Sequence, residues 1–299
     1  LNALLASETM RYEVIENELV EIKEKYADER RTRIIKMATE FNPEDMYADD
    51  DMVITISHLG YIKRTPLADF RQQGRGGVGA KASAARDEDF IEYVHQANMH
   101  STMMFFTEQG RLYWTKVYEL PEGNRQSKGR ALQNMINIQK GDKVCAFIHV
   151  KNLNDMEYVQ NHYLIFATKD GLMKKTTLES YSRPRANGII ALGLREGDRL
   201  IRVTLTDGNS QMLVASYNGK VVRFPEDTVR PMGRTATGVR AIKLDEDGQD
   251  RVIGMICVEE GSKESVLVIS EKGFGKRTDL DDENGEAIYR ITNRGGKGV

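Results

Sequence analysis

The amino-acid sequence predicts an all-β, propeller-like fold of four-stranded blades, preceded by an N-terminal α-helical segment. Three observations predict it. Near Val53 the hydrophobic period changes from helical spacing to short β runs broken by Gly-centred turns. Five segments then align with one another: VITISHLGYIKRT from Val53, MMFFTEQGRLYWTK from Met103, YLIFATKDGLMKKT from Tyr163, MLVASYNGKVVRF from Met212 and VLVISEKGFGKRT from Val266. Their turn glycines, Gly60, Gly110, Gly171, Gly219 and Gly273, lie 50, 61, 48 and 54 residues apart, the scale of one four-stranded blade per repeat.

Composition sets the outer limits. The 299 residues are 40% apolar and 29% charged, enough chain to bury a substantial core. No apolar run approaches the roughly 18 residues of a membrane span, and no basic stretch followed by an apolar one opens the chain, so neither a membrane partner nor secretion is expected. Cys145 and Cys257 are too few to staple this fold or to complete a four-ligand metal site, which makes a reducing cytoplasm the default. The chain starts at Leu1 rather than Met, and its fifth repeat stops at Val299 before a closing strand, so it reads as part of a longer protein. The net charge of −2 conceals an asymmetry: residues 1–50 carry 13 acidic and 7 basic side chains, residues 51–299 carry 32 and 36. Where the positive charges sit decides whether a polyanion is the partner.

Taken in order, residues 1–40 form the helical segment. Within 8–40, Ile15, Leu19, Ile22 and Tyr26 recur at helical spacing, and Arg30, Arg31, Arg33 and Lys36 gather where a helix dipole favours cations. The stripe is narrow, so a partner outside this chain is expected to cover it. Residues 41–52 read as a linker: Asn42-Pro43 breaks the helix, and Asp49, Asp50 and Asp51 form a solvated acidic run rather than a metal site. Residues 53–299 are the β domain, about five blades with the last incomplete. Each turn glycine supplies the positive φ a hairpin needs. An apolar strand then closes each unit: DFIEYVHQ, DKVCAFIHV, DRLIRVTL and DRVIGMICV. Cys145 and Cys257 are read as small apolar residues at equivalent places in these strands.

A second signal runs through the repeats. Four residues after each turn glycine stands Arg64, Trp114, Lys175, Arg223 or Arg277, with Lys63 beside Arg64. A second glycine follows 19, 19, 17, 19 and 25 residues after the first: Gly79, Gly129, Gly188, Gly238 and Gly298. Four residues before it stands Arg75, Arg125, Arg234 or Arg294, and in the third repeat, one register off, Arg185. Arranged around an axis, such cations would form a curved positive belt suited to a bent polyanion. Neutralised phosphates release counterions, so binding would be strong at low salt and largely sequence-blind. No basic or Asn/Gln-rich helix lies in residues 53–299, which argues against groove reading. Arg64, Arg223 and Arg277 are therefore expected to add affinity uniformly across DNA sequences.

The segment Gln73–Gly79, QGRGGVG, resembles the QRRGGKG box of the DNA gyrase A family at Gln73, Arg75, Gly76, Gly77 and Gly79. It departs at Gly74 and Val78, losing two positive charges. ISHLGYIKRTPLADF, FFTEQGRLYWTKVYELPE and GKVVRFPEDTVRPMGRTATGVRAIKL extend the likeness over nearly the whole chain, and ERRTRI resembles the end of the family's breakage–reunion helices. The resemblance implies a six-bladed C-terminal β-pinwheel with the box on its first blade. It implies duplex DNA bent and wrapped around a basic rim, directing ATP-dependent negative supercoiling by a type II topoisomerase. The catalytic tyrosine, Mg²⁺ and ATP sites of such an enzyme would lie upstream or on the gyrase B protein. This piece would then carry no catalytic centre, metal or cofactor. It would work with two gyrase B proteins and a second gyrase A protein in an A2B2 enzyme of the bacterial, nucleoid-associated cytoplasm. The C-terminal domain of the corresponding topoisomerase IV protein is the nearest alternative.

Two other classes are weighed against it. A propeller hydrolase would need paired carboxylates, a metal or a nucleophile, but Glu119, Glu122, Asp142 and Asp155 read as turn acids without shared spacing, and the five histidines show no ligand pattern. A protein-binding propeller of the WD-repeat type would carry Trp-Asp signatures at strand ends, and none is present. Trp114 is expected to pack between blades rather than stack on a base.

Overall fold

A hairpin of two tightly joined strands needs a residue with positive φ at its turn, and the five turn glycines meet this with φ between 75° and 84°. The computed structural model describes residues 2–29, 31–32, 42–70, 88–246, 248–282 and 284–299. The chain divides into two units, Leu1–Asp45 and Met46–Val299. Among the described residues no helix is long and apolar enough to cross a membrane.

The first unit contains α1 (Asn2–Ala6) and α2 (Glu8–Tyr26). Ser7 caps α2, its Oγ accepting from the Met10 amide at 3.5 Å. Ile15, Leu19, Ile22 and Tyr26 are each at least half exposed, so the apolar stripe buries nothing within α2's own unit. The helix ends at Tyr26, well short of residue 40. Ala27 leaves helical geometry at φ −71° and ψ 127°, and Asp28 and Glu29 follow where the dipole disfavours acids. Lys23 and Lys25 occupy the last turn in place of the expected Arg30–Lys36 group. Arg31 lies past the helix end; Arg30, Arg33 and Lys36 fall outside the described residues.

The second unit is built from repeats. The first supplies β1 (Asp51–Ser57), β2 (Tyr61–Pro66) and β3 (Ile91–Asn98); the second β4 (Thr102–Thr107), β5 (Arg111–Lys116), β6 (Arg130–Ala131) and β7 (Val144–Val150). The third adds β8 (Tyr163–Thr168), β9 (Leu172–Thr177), β10 (Ile189–Ile190) and β11 (Leu200–Thr206), after the short α3 (Met156–Asn161). The fourth adds β12 (Ser210–Ser216), β13 (Val221–Pro225), β14 (Val239–Arg240) and β15 (Val252–Glu259), and the fifth β16 (Ser265–Ile269) and β17 (Gly275–Asp279). The antiparallel sheets run β3-β1-β2-β6, β10-β5-β4-β7, β11-β8-β9-β14 and β13-β12-β15, with β16-β17 apart, giving the expected all-β propeller of blades.

The blades are not one repeat each. Each of the second, third and fourth repeats contributes three strands to its own blade and lends a fourth, the short strand after its second glycine, to the blade before. Ile62 pairs with Arg130, Leu112 with Ile189 and Met173 with Val239. Val221 and Val299 exchange reciprocal 2.9 Å backbone bonds at the same place. This loan explains the second glycine. A Cβ on Gly129 (φ 74°) would lie 2.6 Å from the Ile62 carbonyl oxygen, and one on Gly298 (φ 77°) 2.6 Å from that of Val221. The lent strand can pair only if the residue before it has no side chain.

The central strands read as unbroken apolar runs because both faces are covered. In β4, Met103 and Phe105 pack towards Ile54, Ile56 and Ile62 of the first blade, while Met104 and Phe106 pack towards Leu164 and Phe166 of the third. Phe106 meets Phe166 edge-on at 5.6 Å between ring centres. Ile165 and Ala167 turn the other way, onto Met212 and Val214. The core is thus a series of interfaces between successive blades.

Asp142, read as an isolated turn acid, belongs to a set. Asp89, Asp142, Asp198 and Asp250 open the closing strands and accept from the amides of Leu59, Gln109, Asp170 and Asn218, each the residue before a turn glycine, at 3.0–3.2 Å. Burial alone would raise Asp89 and Asp250, but the hydrogen bonds they accept outweigh it and hold both carboxyls below their ordinary value. The cysteines are not equivalent. Cys257 stands opposite Met212, whereas Cys145 sits at the bulge between Val144 and Ala146, the position Ile253 holds in β15. Burial pushes both thiols up, which suits packing rather than reactivity.

Lys174 is fully buried. Its ammonium donates to the carbonyls of Arg234 (2.5 Å) and Ala191 (2.6 Å) and to the Tyr181 hydroxyl (3.2 Å), and lies 4.7 Å from the Phe166 ring centre. Burial, aided by the nearby charge of Arg234, lowers its pKa to about 7. The unfolded chain therefore holds one more proton here between about pH 7 and the ordinary lysine value of 10.5. The contribution of this site to stability is smallest below about 7 and rises with pH across that window. Lys174→Met should flatten that part of the urea-midpoint-against-pH curve relative to the parent; parallel curves would refute the assignment. A second comparison tests the lent strand. Gly219 (φ 81°) has open space where a Cβ would go, so Gly219→Ala should cost only the left-handed penalty of about 1–2 kcal/mol. Gly129→Ala adds the collision with Ile62 and should cost at least about twice as much in urea unfolding.

Candidate nucleic-acid interface

Two kinds of cation recur in the β unit, and folding treats them oppositely. The first kind lies in the second strand of each hairpin. Lys63, Arg64, Lys175 and Arg223 are only 2%, 6%, 4% and 5% exposed, so they do not line an outer belt as the sequence pattern predicts. Each faces the next repeat instead. Residues 64, 175 and 223 form parallel bridges to Glu122, Pro231 and Ile291, which turns their side chains into the inter-repeat seam. The Arg64 guanidinium donates to the Leu120 carbonyl at 2.7 Å and pairs with Glu122 at 3.1 Å. The Lys175 ammonium pairs at 2.8 Å with Glu226, a fully buried carboxylate that also accepts from Thr206. Arg223 donates to Gln211 at 2.7 Å and pairs with Asp281 at 3.1 Å.

Trp114, the exception in the pattern, does the same work without a charge. Its Nε1 donates to the Tyr181 carbonyl at 3.1 Å. Tyr181 and Leu120 both stand ten residues after their repeat's turn glycine, so tryptophan and arginine reach equivalent carbonyls. Arg277 differs: it lies exposed on β17, opposite Leu267.

The second kind of cation lies on the loop that leads to each second glycine. Arg185 is exposed, and Arg125, Arg234 and Arg294 are half-buried. The loops carry more positive charge than the four-before-glycine rule found: Lys128, Arg130, Arg183, Arg230, Arg240 and Lys297 are exposed on the same segments. Over residues 121–131, 182–190, 230–240 and 288–299 the single acid is Glu122, which Arg64 already neutralises in part. A count of charge along each loop, rather than of one register position, would have found this set.

Successive loops touch. The Gly193 amide donates to the Ala236 carbonyl at 3.3 Å, Arg294 donates to the Arg240 carbonyl at 2.8 Å, and the Lys243 amide to the Gly296 carbonyl at 2.8 Å. The cationic loops of the third, fourth and fifth repeats are therefore neighbours rather than scattered features. The box residues Gln73, Arg75, Gly76, Gly77 and Gly79 lie outside the described residues. Among the described residues no three His, Cys, Asp or Glu side chains gather as metal ligands would. The acidic run is used locally: Asp51 accepts from Asn98 at 3.0 Å, and Asp49 lies 3.8 Å from the His100 ring nitrogen.

Comparison with known proteins follows the repeats. The family described as DNA gyrase C-terminal domain, beta-propeller, matches residues 51–98, 101–151, 162–207, 211–259 and 264–299, once per repeat. The DNA gyrase A proteins of Staphylococcus epidermidis and Staphylococcus aureus are 41% and 40% identical to it over 300 residues, each match spanning 100% of this chain. For the gyrase A protein of Salmonella typhimurium the figure is 42% over 295 residues and 96% of this chain. The chain spans 32% of the length of each of these relatives. The crystal structure of a DNA topoisomerase IV C-terminal domain superposes with TM-score 0.67 at 26% identity, over 84% of this chain and 72% of that one. A DNA gyrase A C-terminal domain superposes with TM-score 0.62 at 22% identity, over 84% and 76%, a likeness of fold alone. Matched by that family's profile in all five repeats, over most of its length, the chain belongs to the DNA gyrase C-terminal domain family of β-propellers.

Proposed function

We propose that residues 46–299 bind duplex DNA along the loops bearing Arg125, Arg185, Arg234 and Arg294, and bend it around the blades. The observation that carries this reading is the repetition of cationic loops, nearly free of acids and adjacent in the third to fifth repeats. A repeated series of guanidinium groups suits a polymer of repeated phosphates. Contacts of this kind depend on backbone charge and not on base identity. Smooth bending of DNA by 40–90° over 20–30 base pairs costs about 1–6 kcal/mol, which contacts spread over several loops can offset. Gln73, Arg75, Gly76, Gly77 and Gly79 belong to a sequence segment of the first repeat that is likewise basic and poor in acids.

Within a whole protein, the module would serve as the C-terminal domain of gyrase A. There it would work with gyrase B and a second gyrase A protein, using ATP and Mg²⁺ bound elsewhere in the enzyme, in the bacterial cytoplasm. The gyrase name shared by relatives about 40% identical over the full chain, and the RGG core of the box, favour negative supercoiling over the topoisomerase IV role. The alternative of a protein-binding propeller predicts retention that salt barely affects.

Three measurements test this. If about four to six phosphates are neutralised, log affinity should fall against log salt with a slope of about −4 to −5. A flat salt response would instead support a protein partner. Arg234→Ala should reduce that slope by about 1 while leaving stability nearly unchanged. Arg223→Ala should do the reverse, lowering unfolding free energy by about 2–3 kcal/mol through loss of the hydrogen bonds of a buried guanidinium to Gln211 and of its ion pair with the exposed Asp281, with the salt slope intact. Lastly, Arg75→Ala with Gly76→Ala should remove the linking-number change left in circular DNA ligated with the protein, while simple binding persists. An unchanged linking-number shift would exclude the box as the wrapping element.

A further inference from the structure

Among the described residues, the buried lysines Lys63 and Lys174 pair with no carboxylate, unlike the cations beside them. Lys63 donates from one ammonium to the carbonyls of Asn124 (2.9 Å), Ser127 (2.9 Å) and Arg125 (3.4 Å). Lys174 donates to the carbonyl of Arg234 at 2.5 Å and to that of Ala191 at 2.6 Å. Both lysines stand three residues after a turn glycine, and both reach the carbonyl of the arginine four residues before the next repeat's second glycine. An ammonium has three N–H donors: Lys63 directs them to three carbonyls of the next repeat's loop, and Lys174 to one carbonyl of that loop and, within its own repeat, to the Ala191 carbonyl and the Tyr181 hydroxyl.

The fold itself does not demand lysine at this place. The second repeat has Tyr113 and the fourth Val222, both buried in inter-blade cores. Removing a lysine ammonium from water is costly, so a buried lysine among such alternatives calls for a reason other than packing. Loop length supplies one. The loops gripped by Lys63 and Lys174 are those in which the two glycines are 19 residues apart, Gly110 to Gly129 and Gly219 to Gly238. The loops facing Tyr113 and Val222 have spacings of 17 and 25, and carry Arg185 and Arg294. Lysine thus accompanies one loop length, and the loop arginine's own carbonyl is among the groups held.

We propose that Lys63 and Lys174 are positioning residues for DNA binding: each fixes, from one repeat, the backbone of the arginine loop in the next, and so sets where Arg125 and Arg234 present their guanidinium groups. The inference rests on the DNA-binding reading for its purpose, but the grip on the loop can be tested separately.

The experiment uses the 299-residue chain. In Lys63→Met, backbone amides of residues 124–128 should exchange with deuterium at least roughly tenfold faster, while those of β1 and β2 keep their protection. DNA affinity at fixed salt should fall roughly three- to tenfold, as far as in Arg125→Ala, and the double variant should fall no further. Lys63→Tyr, which places in the first repeat the residue the second already tolerates, should behave alike and covers the case in which Met impairs folding. Unchanged exchange in the loop of a folded variant, or losses that add in the double variant, would overturn the proposal. If Arg125→Ala, with Arg185, Arg234 and Arg294 also replaced by Ala, binds as the parent does, the DNA reading itself fails; the exchange result still decides whether Lys63 holds the loop.

Discussion

The β unit depends on one close contact, repeated. After Gly129, Gly188, Gly238 and Gly298 the chain runs against the second strand of the preceding blade and adds to its sheet. The approach is near enough that a β-carbon on the glycine would collide with a backbone carbonyl, as at Ile62 and Val221. Because the strand is lent backward by the following repeat, no blade is complete without its successor. Hydrogen bonds tie the repeats at their edges, and apolar cores between blades tie them at their faces. Stability then resides in nearest-neighbour interfaces, as in other repeat architectures. A residue in such an interface influences two blades at once.

That constraint explains the unequal fate of the cations. A side chain on the second strand, near the lent segment, is enclosed by the next repeat and must find acceptors there. Arg64, Lys175 and Arg223 each meet a carboxylate, Trp114 meets a carbonyl with a neutral N–H, and Lys63 meets three carbonyls. These groups join blades. The loop arginines sit just before the lent strand, where the chain crosses the outside, and keep more contact with solvent. Cations of the same chemical type, some just after the turn glycine and others just before the second glycine of a repeat, thereby serve cohesion in one case and remain available to an outside polyanion in the other.

Contact between the loops bears on how a bent duplex could be held. Successive loops are tied by hydrogen bonds, as Arg294 is to the Arg240 carbonyl and the Gly193 amide to that of Ala236. A row of charges fixed in this way loses less entropy on binding than charges on independent arms. The buried lysines extend the same logic beneath the loops, and the Asp caps extend it to the hairpin turns opposite.

Much of this was legible in the residues. Turn glycines, unbroken apolar central strands and a period of about 50 residues determined the β-repeat class, because hairpin φ angles and two-sided burial leave few other residue choices. The second glycines and their arginines form a visible pattern, whereas the shared role of the four Asp residues that open the closing strands emerges only with the hydrogen bonds they accept. What the residues could not disclose was direction. Whether Arg64 points to solvent or to Glu122, and whether a strand completes its own blade or the one before, depends on contacts between segments some 60 residues apart. The end of α2 at Tyr26 was similarly hidden, since neither Gly nor Pro marks it. Periodicity along a chain records which positions are alike; only packing decides what those positions face, because desolvating a charge is tolerable solely where a partner has been brought to meet it.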